Sequence, residues 1–208
     1  MRIGILRATT VAATVALAAL AGGALAPAAS ATTPSTKVTG GSTAVTTAPG
    51  LVRTLLEKQI VVFAAPAASN KVSYVEADLR LTYSFKVTGG TFNGTVNQGL
   101  VNHSGKLVFL NLANGKSVTL SRIQLNRTGS DLRAQIGTGD TTQVPVFDVA
   151  FGAATTTVSG RTTTITGAPA TLTQFAADSL NEGLGVPTEA FFAGDSFGTI
   201  TTSITNAG

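Results

Sequence analysis

Gly194-Asp195-Ser196-Phe197-Gly198 fits G-x-S-x-G, the glycine-bounded setting in which hydrolases present a serine hydroxyl as nucleophile. Acyl transfer by that hydroxyl needs a base within hydrogen-bond reach and an acid to orient the base. The chain has one histidine. His103, an aspartate from among Asp131, Asp140 and Asp148, and then Ser196 follow the order His, Asp, Ser of one class of serine proteases. The order Ser, Asp, His of the α/β-hydrolases fails, because the ten residues after Gly198 include no histidine. Phe197 also stands where a further glycine would let backbone approach the oxyanion. The competing reading is a tight turn in which Asp195 and Ser196 cap backbone amides. The turn is the expectation, with the serine hydrolase as the alternative.

Other chemistry is constrained by what the chain contains. In "GLVNHSGKLVF", strand alternation puts Val101, His103, Gly105, Leu107 and Phe109 on one face. His103 is therefore expected to point inward as a neutral imidazole with both nitrogens hydrogen-bonded, and it is the candidate ligand-binding residue. One histidine and no cysteine do not make a transition-metal site, and no glycine-spaced run of aspartates suggests a calcium loop. No metal and no resident cofactor are expected from the residues themselves. Glycosidase chemistry needs two facing carboxylates. Asp148, inside "VPVFDVAF", is the acid whose apolar setting suggests a raised pKa, and no second carboxylate can be paired with it.

The amino terminus has the form of an export signal over residues 1–31. Arg2 and Arg7 precede an apolar run from Ala8 to Ala21, and Ala29-Ser30-Ala31 offers the small residues that a signal peptidase reads. A retained membrane helix needs about 20 apolar residues; this run is broken by Thr9, Thr10 and Thr14 and ends in Gly22-Gly23. Cleavage before Thr32 predicts a secreted, extracellular product with no membrane span. The calculated pI is 9.8, but with two arginines lost to the signal, twelve basic residues face ten acidic ones. Those charges are scattered, so a nucleic-acid partner is not expected. Residues 32–37 read as a polar linker and residues 38–208 as one domain, which must rely on its apolar core because it has no disulfide.

Gly, Asn and Thr punctuate many short β-branched runs in that domain. Val72 to Val87 alternates, with Leu79, Leu81, Tyr83 and Phe85 on one face, and reads as one half-buried strand. Asn114-Gly115 predicts a hairpin that sets Phe109 opposite Leu120. Val118 and Leu120 differ in parity from Ile123 and Leu125, so a bulge near Ser121-Arg122 would bring all four inward. Pro49 to Lys58 and Leu172 to Glu182 read as short helices. The second is expected to be capped by Thr171 and to stop at Gly183. Each helix sits between a Thr-rich strand and an apolar stretch, suggesting strand–helix–strand ends that flank a central sheet. The expected fold is mainly β, an antiparallel β-sandwich or curled sheet with two short helices.

From Gly94 to Ala134 the chain resembles HtaA-type domains of secreted and cell-wall proteins from high-GC Gram-positive bacteria. His103-Ser104-Gly105, Leu107 to Leu112, Val118 to Leu125 and Leu132-Arg133-Ala134 follow that family's order. Leu172-Thr173, Ala176-Ala177 and "FFAGDSFG" are similar to its later segments. The resemblance covers about two thirds of the exported chain and implies a non-enzymatic domain with a binding or surface-structural role. It also implies haem as a possible cofactor, held in that family by an axial tyrosine hydrogen-bonded to the histidine that His103 matches. The segment from Pro49 to Ala65, where that tyrosine would fall, has none; Tyr74 and Tyr83 lie elsewhere. The partners this leaves open are a cell-envelope component or a small apolar ligand.

Overall fold

The structure is a computed structural model that describes residues 35–137, 142–187 and 189–208. The segment read as an export signal lies outside the described residues. Twelve strands and two helices make up the described chain. They are β1 (Thr36–Thr47), α1 (Leu51–Glu57), β2 (Ile60–Ala65), β3 (Ala68–Val75), β4 (Asp78–Asn93), β5 (Gln98–His103), β6 (Lys106–Asn111), β7 (Ser117–Asn126), β8 (Asp131–Ile136), β9 (Val144–Val149), β10 (Thr155–Ser159), β11 (Thr162–Leu172), α2 (Gln174–Leu184) and β12 (Ser196–Asn206).

Neither a sandwich nor a curled open sheet results. Eight strands close a barrel in the order β7, β5, β4, β1, β12, β11, β9, β8 and back to β7, with every pairing antiparallel. Closure depends on β7, which gives one edge to β5 and β6 and the other to β8. The two chain ends do not flank a central sheet. β1 pairs with β12 from Val38–Asn206 to Thr47–Gly198, so the last strand locks beside the first. A closed barrel has no edge along its ring, and its inward positions are filled by side chains. Here Val45, Phe85, Phe92, Val101, Leu125, Ile165, Ile200 and Ile204 fill it.

Local expectations fared unevenly. The bulge occurs where parity demanded it: the β7–β8 register shifts between Ser121 and Gln124, Arg122 takes φ 52°, and Val118, Leu120, Ile123 and Leu125 are all buried. The Asn114-Gly115 turn exists, but Phe109 faces Val118 and Leu107 faces Leu120. The loop is two residues longer on the strand side because Asn111 and Asn114 each accept from a backbone amide within it, at Ala113 and Lys116. Both asparagines also donate to the Leu184 carbonyl at the end of α2. The shift of two residues conserves parity, so the buried set is unchanged.

The stretch Val72 to Val87 is two strands, not one. Glu76 and Ala77, with φ 51° and 64°, make a two-residue turn, and β3 pairs with β4 from Val75–Asp78 to Ala68–Phe85. Positive φ at both central residues is the type I′ requirement, met here without glycine or asparagine. Helix α2 is capped by Thr173, not Thr171, and ends at Gly185 with φ 59°, not at Gly183. Gly183 lies inside the helix, where a Cβ would come within 2.4 Å of the Val118 side chain, so its glycine serves close packing and not helix termination. Thr173 Oγ1 accepts from the Ala176 amide at 3.2 Å and donates to the Pro145 carbonyl at 2.9 Å, tying the helix start to β9. Thr173→Ala should therefore cost about 1–2 kcal/mol, read as a lowered urea midpoint at unchanged m-value.

Candidate functional site

Ser196 begins β12 and is exposed, while its neighbour Phe197 is buried. The loop before it is held by Asp195, which accepts from the Phe192 amide at 2.9 Å and passes its carbonyl to Leu172 N–H. Asn181 of α2 brackets the same loop, exchanging hydrogen bonds with both the amide and the carbonyl of Phe191. Gly194 turns the chain with φ 84°. Gly198 is required by the β1–β12 pairing: its φ is 152°, and a Cβ would lie 1.9 Å from the Thr46 carbonyl oxygen. Both glycines of the motif thus have structural causes.

His103 lies elsewhere. The residue is 7 % exposed in the barrel wall, with Nε2 2.7 Å from Thr43 Oγ1 and Nδ1 3.3 Å from the Ile123 carbonyl. Thr43 Oγ1 is in turn 2.7 Å from Thr202 Oγ1. A carbonyl only accepts, so in the neutral ring Nδ1 carries the proton and Nε2 accepts from the Thr43 hydroxyl. Thr202 then donates to Thr43, and the chain of hydrogen bonds runs one way from β12 through β1 to β5. Burial, opposed by backbone hydrogen bonds at Ile123 and Val101, pulls the pKa of His103 from 6.5 down to about 4.

Thr202 is six positions along β12 from Ser196, roughly 20 Å of strand. The hydrolase constellation is therefore not assembled: Ser196 sits at one end of β12 and the imidazole joins near its middle. The aspartates do not repair it. Asp131 is buried and paired with Arg133 at 3.1 Å. Asp148 is exposed on β9 opposite Asp131, correcting the apolar setting read from its neighbours Phe147 and Val149, which are buried while Asp148 faces out. Asp140 lies outside the described residues.

A groove that no motif announced lies between α1, β2 and the β3–β4 hairpin. Val52 and Leu55 turn into the core, whereas Leu56, 49 % exposed, faces outward. Two depressions, of about 440 and 210 Å³, share Leu56 and Leu79. The inner one is lined by Leu55, Ile60, Val61, Val62, Leu81 and Tyr83. The outer one adds Arg53, Glu57, Ala77 and Asp78. Asp78 pins the hairpin to the helix, accepting from Gly50 N–H at 3.1 Å and from Arg80 Nε at 2.6 Å; the Gly50 bond foremost holds its carboxyl below the usual value. Register places Tyr74 opposite Leu79 and Val72 opposite Leu81. Tyr74 and Val72, 74 % and 58 % exposed, therefore extend the apolar face of the groove outward.

Tyr83 closes the inner end. Its hydroxyl donates to the Val62 carbonyl at 3.2 Å, and burial raises its phenol pKa. Val87, opposite His103 on β5, is four residues further along β4 than Tyr83. The two side chains share the barrel interior at roughly 13 Å of strand separation, and His103 takes Thr43 as its partner in place of a tyrosine. The sequence did carry a sign of the groove. Apolar residues are even-numbered at Val72 and Tyr74 and odd-numbered at Leu79 and Leu81, the parity change a two-residue hairpin turn produces.

A closed antiparallel β-barrel with two short helices, an appended hairpin and a groove beside the first helix defines the class of domain. No family model and no curated protein matches the sequence. Among solved structures, the chain is similar to the C-terminal domain of HtaA from Corynebacterium glutamicum at TM-score 0.57 and 13% identity, covering 83% of this chain and 99% of that one. It is also similar to the N-terminal domain of HtaA from the same organism at TM-score 0.50 and 14% identity, covering 81% and 98%. The chain has the fold of the HtaA domains. The segments that carried the resemblance, from His103 to Ala134, are β5, β7 and β8 of the barrel and β6 beside them, with Leu132-Arg133-Ala134 on β8.

Proposed function

We propose that this chain is an exported, non-enzymatic domain of the cell envelope or medium that takes a small apolar ligand in the groove between α1 and the β3–β4 hairpin. The observation that carries this reading is the continuity of apolar surface from buried Leu55 and half-buried Leu81 through Leu56 and Leu79 to exposed Val72 and Tyr74. A soluble domain rarely leaves such a run uncovered without a binding role. Haem is the first ligand to test because of the HtaA fold. The groove itself supplies aliphatic walls and Tyr83, whose hydroxyl is already committed to Val62. His103 enters as a support for the barrel wall behind β4 and β5, and a direct contact through its exposed edge is tested in the same experiment.

Residues 32–208 would be titrated with hemin, following the Soret band, and with the neutral fluorophore N-phenylnaphthylamine. Saturable binding of either probe, weakened about tenfold or more by Leu79→Arg, supports the groove, since a guanidinium there must be desolvated or displaced. A Soret shift that His103→Ala weakens as well would bring His103 into a haem site. No saturable binding of either probe overturns the reading and leaves a surface-structural role.

A further inference from the structure

A barrel of eight closed strands leaves β2, β3 and β10 as the strands with an open side among the described residues. Two of these are defended. On β2, the Ala64 amide donates to Asn70 Oδ1 at 2.7 Å and the Val62 carbonyl accepts from the Tyr83 hydroxyl, so side chains stand in for a neighbouring strand. β3 carries Lys71 near its middle, a charge that discourages pairing. β10 has no charge or backbone-directed side chain on its edge; its side-chain hydrogen bond is with Asn97, whose Nδ2 lies 3.3 Å from Thr156 Oγ1. Its sequence is Thr-Thr-Thr-Val-Ser, without charge or proline, and its register with β11 runs unbroken from Thr155–Thr166 to Ser159–Thr162. Every residue of it is exposed, Val158 to 60 %. Among the described residues, its backbone makes no hydrogen bond outside the β11 ladder.

We propose that β10 is the docking edge for a second copy of this chain, the two β10 strands pairing antiparallel about a two-fold axis at Thr157. Self-pairing suits this edge for two reasons. The two-fold sets Thr157 against Thr157 and Val158 against Thr156, so β-branched residues meet β-branched residues and no like charges face each other. The exported chain's net charge, near +2, opposes the approach of two copies only weakly. An isologous contact of this kind uses the same edge on both subunits and closes at the dimer. Five residues supply few hydrogen bonds, so the dimer is a weak, concentration-dependent one.

Sedimentation equilibrium of residues 32–208, over about a hundredfold concentration range reaching the millimolar, reads the association directly. The expected result is a reversible monomer–dimer equilibrium that Thr157→Lys weakens about tenfold or more, by setting two ammonium groups face to face. Ser69→Glu, on the β3 edge and with Lys71 kept in place, should leave the equilibrium unchanged. Circular dichroism checks that Thr157→Lys is folded; should it not be, Val158→Lys probes the same edge. A monomer throughout, or a dimer as strong in the folded lysine variant as in the wild type, overturns the proposal; the second outcome would assign association to another surface.

Discussion

Phe197→Ala should destabilise the domain by about 4 kcal/mol, while Ser196→Ala, one residue earlier, should change stability by no more than about 0.5 kcal/mol. The two side chains of one short motif lie on opposite sides of β12. The Phe197 ring has its centroid 4.7 Å from that of Phe147, 6.1 Å from Phe109 and 6.5 Å from Tyr83. These rings come from β9, β6 and β4, so truncation opens a cavity where three walls of the interior meet. Ser196 touches solvent, and losing its hydroxyl leaves no buried group unpaired. Urea unfolding of the two variants beside the wild type checks the contrast. Equal costs, or a larger cost at Ser196, would show that the packing around β12 is misassigned. A fluorophosphonate reagent applied to the wild type tests the chemistry separately; stoichiometric labelling at Ser196 would overturn the non-enzymatic reading.

The second large effect follows from His103. The folded protein binds its proton near pH 4 and the unfolded chain near 6.5. Between those values the unfolded state holds more protons, so stability rises with pH. The contribution is complete above 6.5 and is lost as the pH falls through 4. Going from pH 7 to pH 4 should thus cost about 3 kcal/mol through this one group. Protonation would put a charge among Thr43, Thr202 and the Ile123 carbonyl, and would turn Nε2 into a second donor facing a hydroxyl that already donates. His103→Gln, which keeps polar atoms near the site but does not titrate, should be less stable at pH 7 by about 1–3 kcal/mol. It should also lose most of the acid sensitivity. Urea midpoints measured from pH 7 to pH 4 compare the two, and parallel curves would mean that His103 does not titrate from a depressed value.

Patterns of period two, judged one strand at a time, were readable without coordinates. Val118, Leu120, Ile123 and Leu125 can all be inside only if one residue is extra, and the bulge at Arg122 follows. His103 was placed inward by the same alternation, because the residues on either side of it are polar. Both helices were visible from their apolar spacing. Their ends were less so, since Thr171 and Thr173 are equally good caps locally and only the Pro145 carbonyl distinguishes them. The hairpin at Glu76-Ala77 is concealed in the sequence because its turn lacks the residues that usually mark positive φ; only the change of parity across it signals the turn.

What no local pattern contains is which strands meet. Barrel closure depends on β7 sharing one edge between two strands and on β1 finding β12 across more than 150 residues of chain, as in Thr43 with Thr202. The same long-range pairings carry Ser196 away from His103 and bring Leu56 up to Leu79. A nucleophile motif in the sequence therefore became two structural glycines around an exposed serine, and a groove appeared where the sequence had shown only a helix and a strand. The sequence by itself determined the mainly β character and which side of each strand is apolar, because these depend on neighbours a few residues apart. The tertiary structure alone decided the closed barrel, the partner of the histidine and the location of the groove, because each depends on contacts between residues far apart in the chain.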